Sequence, residues 1–275
     1  MRCFSPVTLK SFDKMTGSRQ VVPCGKCMAC LVNKRQQWVY RLKQEAKDHI
    51  HLQFLTLTYN DEHLPVIDEL SGQATLVKSD VQNFFKRLRK SIEPLKIRYY
   101  LVGEYGFKTK RPHYHVLLFG LPVTREYNQK LVSAWSDKEG NPIGAIHQGK
   151  VTGSSICYTA TYHIMRAYTE VDGVVPTFTL MSRKPGIGYS YIDKRMQWHL
   201  KDRDRFYCQD LDGPKVSLPR YYSEKIYSDM DRMIHRKRVL EMLGKLPCEN
   251  SRLFIERRED YRDRILKVLQ SKGKL

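Results

Sequence analysis

The sequence predicts an α+β fold, because strand-like and helix-like patterns alternate irregularly and two of the strands are neighbours along the chain. Residues 97–104 and residues 113–119 both have strand-like patterns, and a short basic segment joins them. This connection indicates an antiparallel hairpin, whereas neighbouring parallel strands would need a long crossover between them. We therefore expect a central antiparallel sheet flanked by helices, followed by a basic, helical C-terminal region.

The first predicted elements of the core are a helix and a strand. Residues 51–59, with the sequence HLQFLTLTY, are rich in threonine, leucine and aromatic residues, as β-strands are. Before them, residues 1–30 are expected to form a cysteine-bearing loop. Residues 31–48 then carry apolar side chains near helical spacing, namely Leu31, Trp38, Leu42 and Ala46.

The next helix is expected after a polar connection over residues 60–78. Ser79 or Asp80 can cap this helix, because a short polar side chain accepts hydrogen bonds from amides of the first turn. An apolar stripe follows at helical spacing, formed by Val81, Phe84, Phe85 and Leu88.

Beyond the predicted hairpin, residues 124–135 and 154–168 indicate helices, with a strand over residues 144–151 between them. After about residue 223 the chain is charged and helical in pattern. We interpret this region as an accessory basic tail, and a solvated pair of helices is the alternative. Its arginines and lysines include Arg232, Arg236, Lys237, Arg238, Arg257, Arg258, Arg262 and Arg264.

Basic residues far outnumber acidic ones in this chain. The 275 residues include 48 lysines and arginines against 29 aspartates and glutamates, a formal net charge of +19. Nucleic acid is the usual partner of such an excess, although a basic surface kept for solubility is the alternative. The sequence has no apolar run long enough to span a bilayer and no apolar stretch near its N-terminus, so we expect neither a membrane span nor a secretion signal.

Two histidines stand one residue apart in the strand-like segment RPHYHVLLFG, residues 111–120. Because side chains alternate across a strand, His113 and His115 point to the same face and provide half of a metal site. Glu104 ends the preceding strand of the hairpin and can lie beside them, although a surface position is an even alternative. Two imidazoles and a carboxylate suit Mn²⁺, Mg²⁺ or Zn²⁺ and leave positions for a phosphate oxygen and water.

Tyr158 and Tyr162 are four residues apart in a predicted helix, so they share one helical face. A phenol can attack phosphorus and form a phosphotyrosine ester, which makes the pair candidate nucleophiles. The alternative is an aromatic stripe packed on the core.

Together these segments resemble the HUH endonucleases, named for histidine, bulky residue, histidine. Among them the chain is most similar to replication initiator proteins of microviruses, the gokushovirus-type bacteriophages with single-stranded DNA. The matching segments run in order through the chain: VPCGKC at 22–27, FLTLTY at 54–59, GEYG at 103–106, RPHYH at 111–115, the tyrosine pair at 158 and 162, and SRKPGIG at 182–188.

The resemblance implies an HUH-type sheet with the strand over residues 54–59 beneath the active site. His113, His115 and Glu104 would bind a divalent metal, Mg²⁺ or Mn²⁺, and Tyr158 and Tyr162 would be catalytic. The implied enzyme nicks single-stranded origin DNA through a 5′-phosphotyrosine and rejoins it for rolling-circle replication. The absence of a P-loop motif, GxxxxGK followed by serine or threonine, agrees with rejoining that needs no ATP. An HUH transposase or relaxase, and a non-catalytic, zinc-stabilised nucleic-acid-binding protein, are the alternatives.

The same resemblance implies a domain organisation, partners and a location. Residues 1–50 would form a cysteine-bearing N-terminal segment and helix, residues 51–200 the nuclease core, and residues 201–275 the basic C-terminal region. The expected partners are single-stranded or melted origin DNA and the host helicase and polymerase. The expected location is the host bacterial cytoplasm.

One departure from the family concerns the residue before the second tyrosine. Such initiators commonly carry a lysine there that would hold the scissile phosphate, and this chain has Thr161. Arg166 or Lys184 could replace that lysine. The candidate DNA-binding residues are Lys108, Lys110, Arg111, Arg166, Arg183 and Lys184, and ordinary surface positions are the alternative.

The cysteines suggest a second metal site. Cys24, Cys27 and Cys30 form a CxxCxxC motif, and Cys3 could supply a fourth thiolate for structural zinc. Free thiols and an iron–sulfur cluster are the alternatives. An odd count of seven cysteines without a secretion signal argues against a disulfide framework. The remaining three are expected to be ordinary buried thiols: Cys157, Cys208 and Cys248.

Overall fold

The computed structural model describes most of the first 244 residues, and the described ranges are 3–12, 17, 19–68, 70, 72–106, 108–165, 173–209, 213 and 215–244. The chain divides into two compact units, one formed by Met1–Gln37 with Ile192–Leu275 and the other by Trp38–Tyr191. The sequence-based boundaries at residues 50 and 200 stay a prediction.

Strands and helices alternate along the described part of the chain. The strands are β1 (Val7–Phe12), β2 (Arg19–Val22), β3 (Leu52–Thr58), β4 (Val66–Asp68), β5 (Gln73–Ala74), β6 (Arg98–Tyr105), β7 (Pro112–Phe119), β8 (Ile146–Lys150), β9 (Phe178–Met181), β10 (Tyr207–Cys208) and β11 (Val216–Ser217). The helices are α1 (Met28–Lys47), α2 (Lys78–Ser91), α3 (Arg125–Ala134), α4 (Gly153–Met165), α5 (Ser190–Leu200), α6 (Arg220–Ile226) and α7 (Asp229–Gly244). Among the described residues, no helix has both the length and the apolar composition needed to cross a bilayer.

The Trp38–Tyr191 unit is built on a five-stranded sheet in the spatial order β8-β3-β7-β6-β9. Every neighbouring pair in it is antiparallel, and β6 and β7 form the predicted hairpin. Helices α2 and α3 cover one face, while α1 and α4 contribute to the apolar cluster on the other. The predicted α+β class, with a central antiparallel sheet flanked by helices, is therefore confirmed.

The central strand, β7, explains how the sheet presents its two histidines. Tyr114, Val116 and Leu118 belong to the buried cluster formed with α2 and α3. His113 and His115 alternate with them and so project toward the face on which α1 and α4 pack. Because the opposite face is fully occupied by apolar side chains, a one-residue slip of this strand would bury both imidazoles in the wrong core.

Tyr114, the bulky residue between the histidines, is an anchor for this strand. Its side chain is 0% exposed, and its hydroxyl lies 2.9 Å from the hydroxyl of Tyr59 and accepts a 2.8 Å hydrogen bond from the Val77 amide. Its ring covers Gly103 on β6, where an added Cβ would lie 3.1 Å from the ring. Glycine at this position therefore leaves the space that the tyrosine ring fills.

The start of α2 differs from the prediction that Ser79 or Asp80 caps it. The N-cap residue is Val77, and no side chain forms a capping hydrogen bond. The carboxylate of Asp80 instead accepts a 2.8 Å hydrogen bond from the Tyr59 hydroxyl. Tertiary hydrogen bonds thus replace the local cap at this helix.

Several short elements fall outside the sequence-based expectation. Residues 1–30, predicted as a loop, contain β1 and β2 and the first residues of α1. The predicted polar connection over residues 60–78 contains the small β4–β5 pair, and β9 and α5 follow the last predicted helix. These strands are two to six residues long and lack a clear alternation of apolar side chains, so they leave little pattern in the sequence.

The start of the C-terminal region is helical in the described residues, as expected, with α6 and α7 ending at Gly244. Cys248 and four of the predicted basic positions lie outside the described residues, namely Arg257, Arg258, Arg262 and Arg264.

A buried carboxylate ties α1 to the far end of the sheet. Glu45 accepts hydrogen bonds from Arg98 on β6 and, at 2.7 Å, from the amide of Gly188. Burial raises the pKa of Glu45, but hydrogen bonds from His49 and Arg98 outweigh burial and bring the pKa to about 2.

We expect this carboxylate to make the fold sensitive to acid. Because the pKa of Glu45 falls from its ordinary 4.5 to about 2 on folding, its contribution is complete above the higher value and is lost as pH falls toward the lower. Between about pH 6 and pH 3 the wild-type free energy of unfolding should fall about 2 kcal/mol more than that of Glu45→Gln, measured by urea denaturation. Parallel pH profiles for the two proteins would contradict this assignment.

Candidate active site

The structure brings Glu104, His113 and His115 together on one face of the sheet. Glu104 lies directly opposite His113 in the pairing of β6 with β7, and His115 is two residues further along β7. One carboxylate oxygen, Oε1 of Glu104, lies 3.0 Å from Nε2 of His113 and 2.8 Å from Nε2 of His115. All three potential ligand atoms lie within 4.8 Å of one another. We refer to these three residues as the triad.

Hydrogen bonds on the outer side of each ring orient the triad. Nδ1 of His113 lies 3.1 Å from the carbonyl oxygen of Arg111, which can only accept, so Nδ1 carries the proton of the neutral ring. Nε2 then presents its lone pair to Glu104. Nδ1 of His115 lies 3.0 Å from the hydroxyl of Thr56, which can orient that ring in the same way.

The donor set fits a divalent cation. Two imidazole lone pairs and a carboxylate oxygen that converge need a positive charge among them, either a proton or a metal ion. An octahedral ion with bonds of 2.0–2.1 Å separates adjacent ligand atoms by about 3 Å, which is close to the spacing of the triad. Mixed nitrogen and oxygen ligation suits Mg²⁺ or Mn²⁺, as the resemblance implies.

Burial makes that positive charge necessary. Glu104 is 5% exposed and His115 is 7% exposed, so a bare carboxylate here would lose most of its hydration. Burial lowers the pKa of His113, but the hydrogen bond and the charge of Glu104 outweigh burial and raise it overall. A proton and a metal ion therefore compete for this ring, and lower pH favours the proton.

Two aromatic rings hold His115 in place. Phe54 on β3 stacks on the imidazole, with ring centroids 5.3 Å apart and an interplanar angle of 14°. Tyr158 on α4 meets the imidazole edge to face, also at 5.3 Å, with an angle of 75°. A half-buried phenol therefore lies beside a ligand of the triad.

The start of α4 positions Tyr158. Thr152 and Ser155 bond reciprocally, since the amide of each donates to the side-chain oxygen of the other at 2.8 and 3.1 Å. This is the geometry of a capping box. Ile156 and Ala160, one turn apart, are buried in the cluster on the triad face. The cap and these two contacts fix the rotation of the helix and hence the direction of Tyr158.

The other predicted residues of this helix are placed as follows. The backbone of Tyr162 lies one turn after Tyr158, and its side chain lies outside the described residues, as does all of Arg166. Thr161 is 7% exposed, and its hydroxyl donates to the carbonyl oxygen of Cys157 at 2.7 Å. Thr161 is thus used by its own helix and does not replace the family's lysine.

The basic turn between β6 and β7 lies at the triad end of the sheet. Lys108 and Lys110 are exposed there. The guanidinium group of Arg111 instead bonds the carboxylate of Asp61 at 2.6 Å and the carbonyl oxygen of Tyr59 at 2.8 Å. Arg111 therefore tethers the turn to the end of β3, and its predicted contact with DNA stays a prediction.

Arg183 and Lys184 are exposed but lie at the other end of the sheet. They follow β9, and the amide of Ser182 donates to the carbonyl oxygen of Tyr99. Glu104 is five residues further along β6, a distance of about 17 Å at the rise of a strand. The structure therefore does not bring Lys184 to the triad as a substitute for the family's lysine.

Sequence reasoning missed three residues on the triad face. Phe54 and Thr56 contact His115 directly, and the exposed His147 pairs with Thr56 in the register of β3 with β8. The alternation of FLTLTY places Phe54 and Thr56 on one face, which was a usable signal. His147 could be placed only once the pairing of β8 was known.

Comparison with known proteins gives this geometry a family. The family model for the replication-associated protein ORF2 matches residues 52–165, from β3 to the end of α4. The chain is 30% identical over 225 residues to replication-associated protein ORF2 of Spiroplasma virus 4, covering 74% of this chain and 67% of that protein. The chain belongs to this family of phage replication-associated proteins.

A second member, replication-associated protein VP4 of Bdellovibrio phage phiMH2K, is 28% identical over 270 residues. That match covers 91% of this chain and 80% of the relative. Replication-associated protein ORF4 of Chlamydia phage 1 is 25% identical over 292 residues, covering 94% of this chain and 64% of the relative. These matches confirm the predicted microvirus family.

One solved structure, the N-terminal nuclease domain of the non-structural protein 1 of minute virus of mice, is 15% identical with a TM-score of 0.17. The comparison covers 70% of this chain and 73% of that domain. A TM-score this low supports no conclusion about this chain.

We expect the Thr56 hydroxyl to contribute to metal affinity. Thr56→Val removes the group that orients His115 and should weaken Mn²⁺ binding about 10-fold, measured by isothermal titration calorimetry. Thr58→Val is the matched control, because its hydroxyl bonds the carbonyl oxygen of Ala145 rather than a triad ring. Equal Mn²⁺ affinities for the two variants would argue against this role of Thr56.

Proposed function

We propose that this replication-associated protein is an HUH-type endonuclease that nicks single-stranded origin DNA and later rejoins it. The observation that carries the proposal is the placement of Tyr158, whose ring lies 5.3 Å from the ring of His115. A nucleophile of the right chemistry and a candidate metal centre thus share one face of the sheet. The family membership supports a role in replication, and the geometry supports the reaction.

In this mechanism Oη of Tyr158 attacks the phosphorus of the scissile phosphate. The bond from phosphorus to the 3′ oxygen breaks, which leaves a 5′-phosphotyrosine and a free 3′-hydroxyl. The phenolic proton leaves to solvent, and the departing 3′ oxygen takes one up. A divalent ion held by the triad would supply charge stabilisation for the phosphate oxygens.

The covalent ester also explains rejoining. Because the phosphotyrosine keeps the energy of the phosphodiester, attack by a 3′-hydroxyl can restore the DNA strand without ATP. Tyr162, one helical turn from Tyr158, would make the second cut while Tyr158 is still occupied. Proximity along one helix is the main contribution of such a pair.

The remaining surface would guide the DNA. Lys108 and Lys110 are exposed beside the triad, and the net charge of +19 favours a polyanion at low salt. The free 3′-hydroxyl would prime a host polymerase, and a host helicase would unwind the duplex. The reaction would take place in the host bacterial cytoplasm.

We expect a covalent protein–DNA adduct that depends on the tyrosines. Incubating the protein with Mn²⁺ and a labelled single-stranded origin oligonucleotide should give an adduct that resists denaturing electrophoresis. Tyr158→Phe together with Tyr162→Phe should abolish it, because no phenol remains to form the ester. DNA binding without any adduct in the wild type would instead support a non-catalytic binder.

We also expect His113→Ala to separate nicking from binding. Removing one ligand should lower the nicking rate by about 100-fold or more, because the charge stabilisation at the phosphate is lost. Binding that weakens with added salt should be largely retained, since it depends on lysines and arginines. His51→Ala, at an exposed position before β3, is the matched control. Normal nicking by His113→Ala would show that the metal assignment is wrong.

A further inference from the structure

Four cysteines converge in the unit that contains the N-terminus. The sulfur atoms of Cys3, Cys24, Cys27 and Cys30 all lie within 4.8 Å of one another. Sγ of Cys3 lies 3.6 Å from Sγ of Cys24 and 3.8 Å from Sγ of Cys27. We refer to these residues as the cysteine cluster.

The spacing of the sulfur atoms matches a single tetrahedral ion. Four zinc–sulfur bonds of 2.3 Å place the sulfurs about 3.8 Å apart. A disulfide would need about 2.05 Å, so the observed distances describe thiols that converge without being bonded. Iron–sulfur clusters attach their cysteines to different irons and hold the sulfurs farther apart than one shared ion does.

Backbone amides aim at these sulfurs. The amide of Phe4 donates to Cys27 at 3.4 Å, that of Cys24 to Cys3 at 3.2 Å, and that of Cys27 to Cys24 at 3.3 Å. Such hydrogen bonds favour the thiolate, which is the form that binds metal. Burial raises the pKa of Cys24, but hydrogen bonds from nearby amides outweigh it and bring the pKa to about 6.

The local fold gives a metal ion something to stabilise. Cys3 precedes β1 and Cys24 follows β2, so the cluster closes the open end of the β1–β2 hairpin. Every residue of β1 is exposed, and the two strands form a sheet of their own. An isolated two-stranded hairpin is at best marginally stable in water. Cys27 and Cys30 fix the same point to the start of α1.

We propose that the cysteine cluster is a tetrathiolate site for one structural zinc ion, which folds the β1–β2 hairpin against the start of α1. This site is separate from the triad in ligand chemistry, since it offers four sulfurs where the triad offers two nitrogens and a carboxylate. Soft thiolates select zinc, whereas the triad suits harder ions. The inference does not depend on the proposed nicking activity.

Metal analysis of the purified full-length protein tests the proposal. Wild type should contain about one zinc per chain, and Cys24→Ser with Cys27→Ser should contain almost none. His113→Ala should keep its zinc, which separates this site from the triad. Cys157→Ser, which removes a partly exposed thiol outside the cluster, is the matched control and should keep its zinc too.

Two measurements on the wild type keep the test decisive if the double variant does not fold. Replacement of zinc by Co²⁺ should produce the intense sulfur-to-cobalt charge-transfer absorption of a thiolate site. Chelation should make four thiols reactive and accelerate hydrogen exchange in the β1–β2 hairpin. Zinc that persists in the double variant, iron with sulfide in its place, or a wild type that binds no zinc would each overturn the proposal.

Discussion

A carboxylate oxygen buried between two imidazole nitrogens is the constraint on which the rest of the nuclease-like unit depends. Glu104 meets His113 and His115 at 3.0 and 2.8 Å in a setting that excludes most water. This arrangement is costly unless a positive charge lies within it. The site is therefore organised around a cation, with a phenol placed beside it by α4.

The sheet keeps this arrangement in register from its opposite face. Tyr114 packs between strands and helix there, with its hydroxyl bonded to backbone and to Tyr59, and Gly103 leaves the room its ring needs. The alternation of β7 then forces both histidines to the other side. The residue between the histidines thus has a physical role, which is to lock the strand whose outer side chains bind the ion.

The sequence allowed the sheet and the triad to be predicted because both follow from alternation and from one hairpin. Predicting the hairpin over residues 97–119 was enough to place Glu104 next to the histidines. Contacts that depend on long-range packing were not predictable, such as the Tyr59 bond that draws Asp80 away from a capping role. The position of Lys184, far from the triad, required the pairing of β9 with β6. Likewise, the exposed β1–β2 hairpin carries no apolar alternation that would have indicated it.

The most direct test of the account is a crystal structure of the protein loaded with Mn²⁺, with the ion located by anomalous scattering. The account predicts one manganese ion about 2.0 to 2.3 Å from Oε1 of Glu104 and from Nε2 of His113 and of His115, with the Tyr158 hydroxyl facing the open side of the ion. Manganese bound to other carboxylates while the triad holds none, or a Tyr158 hydroxyl turned away from the ion, would contradict it.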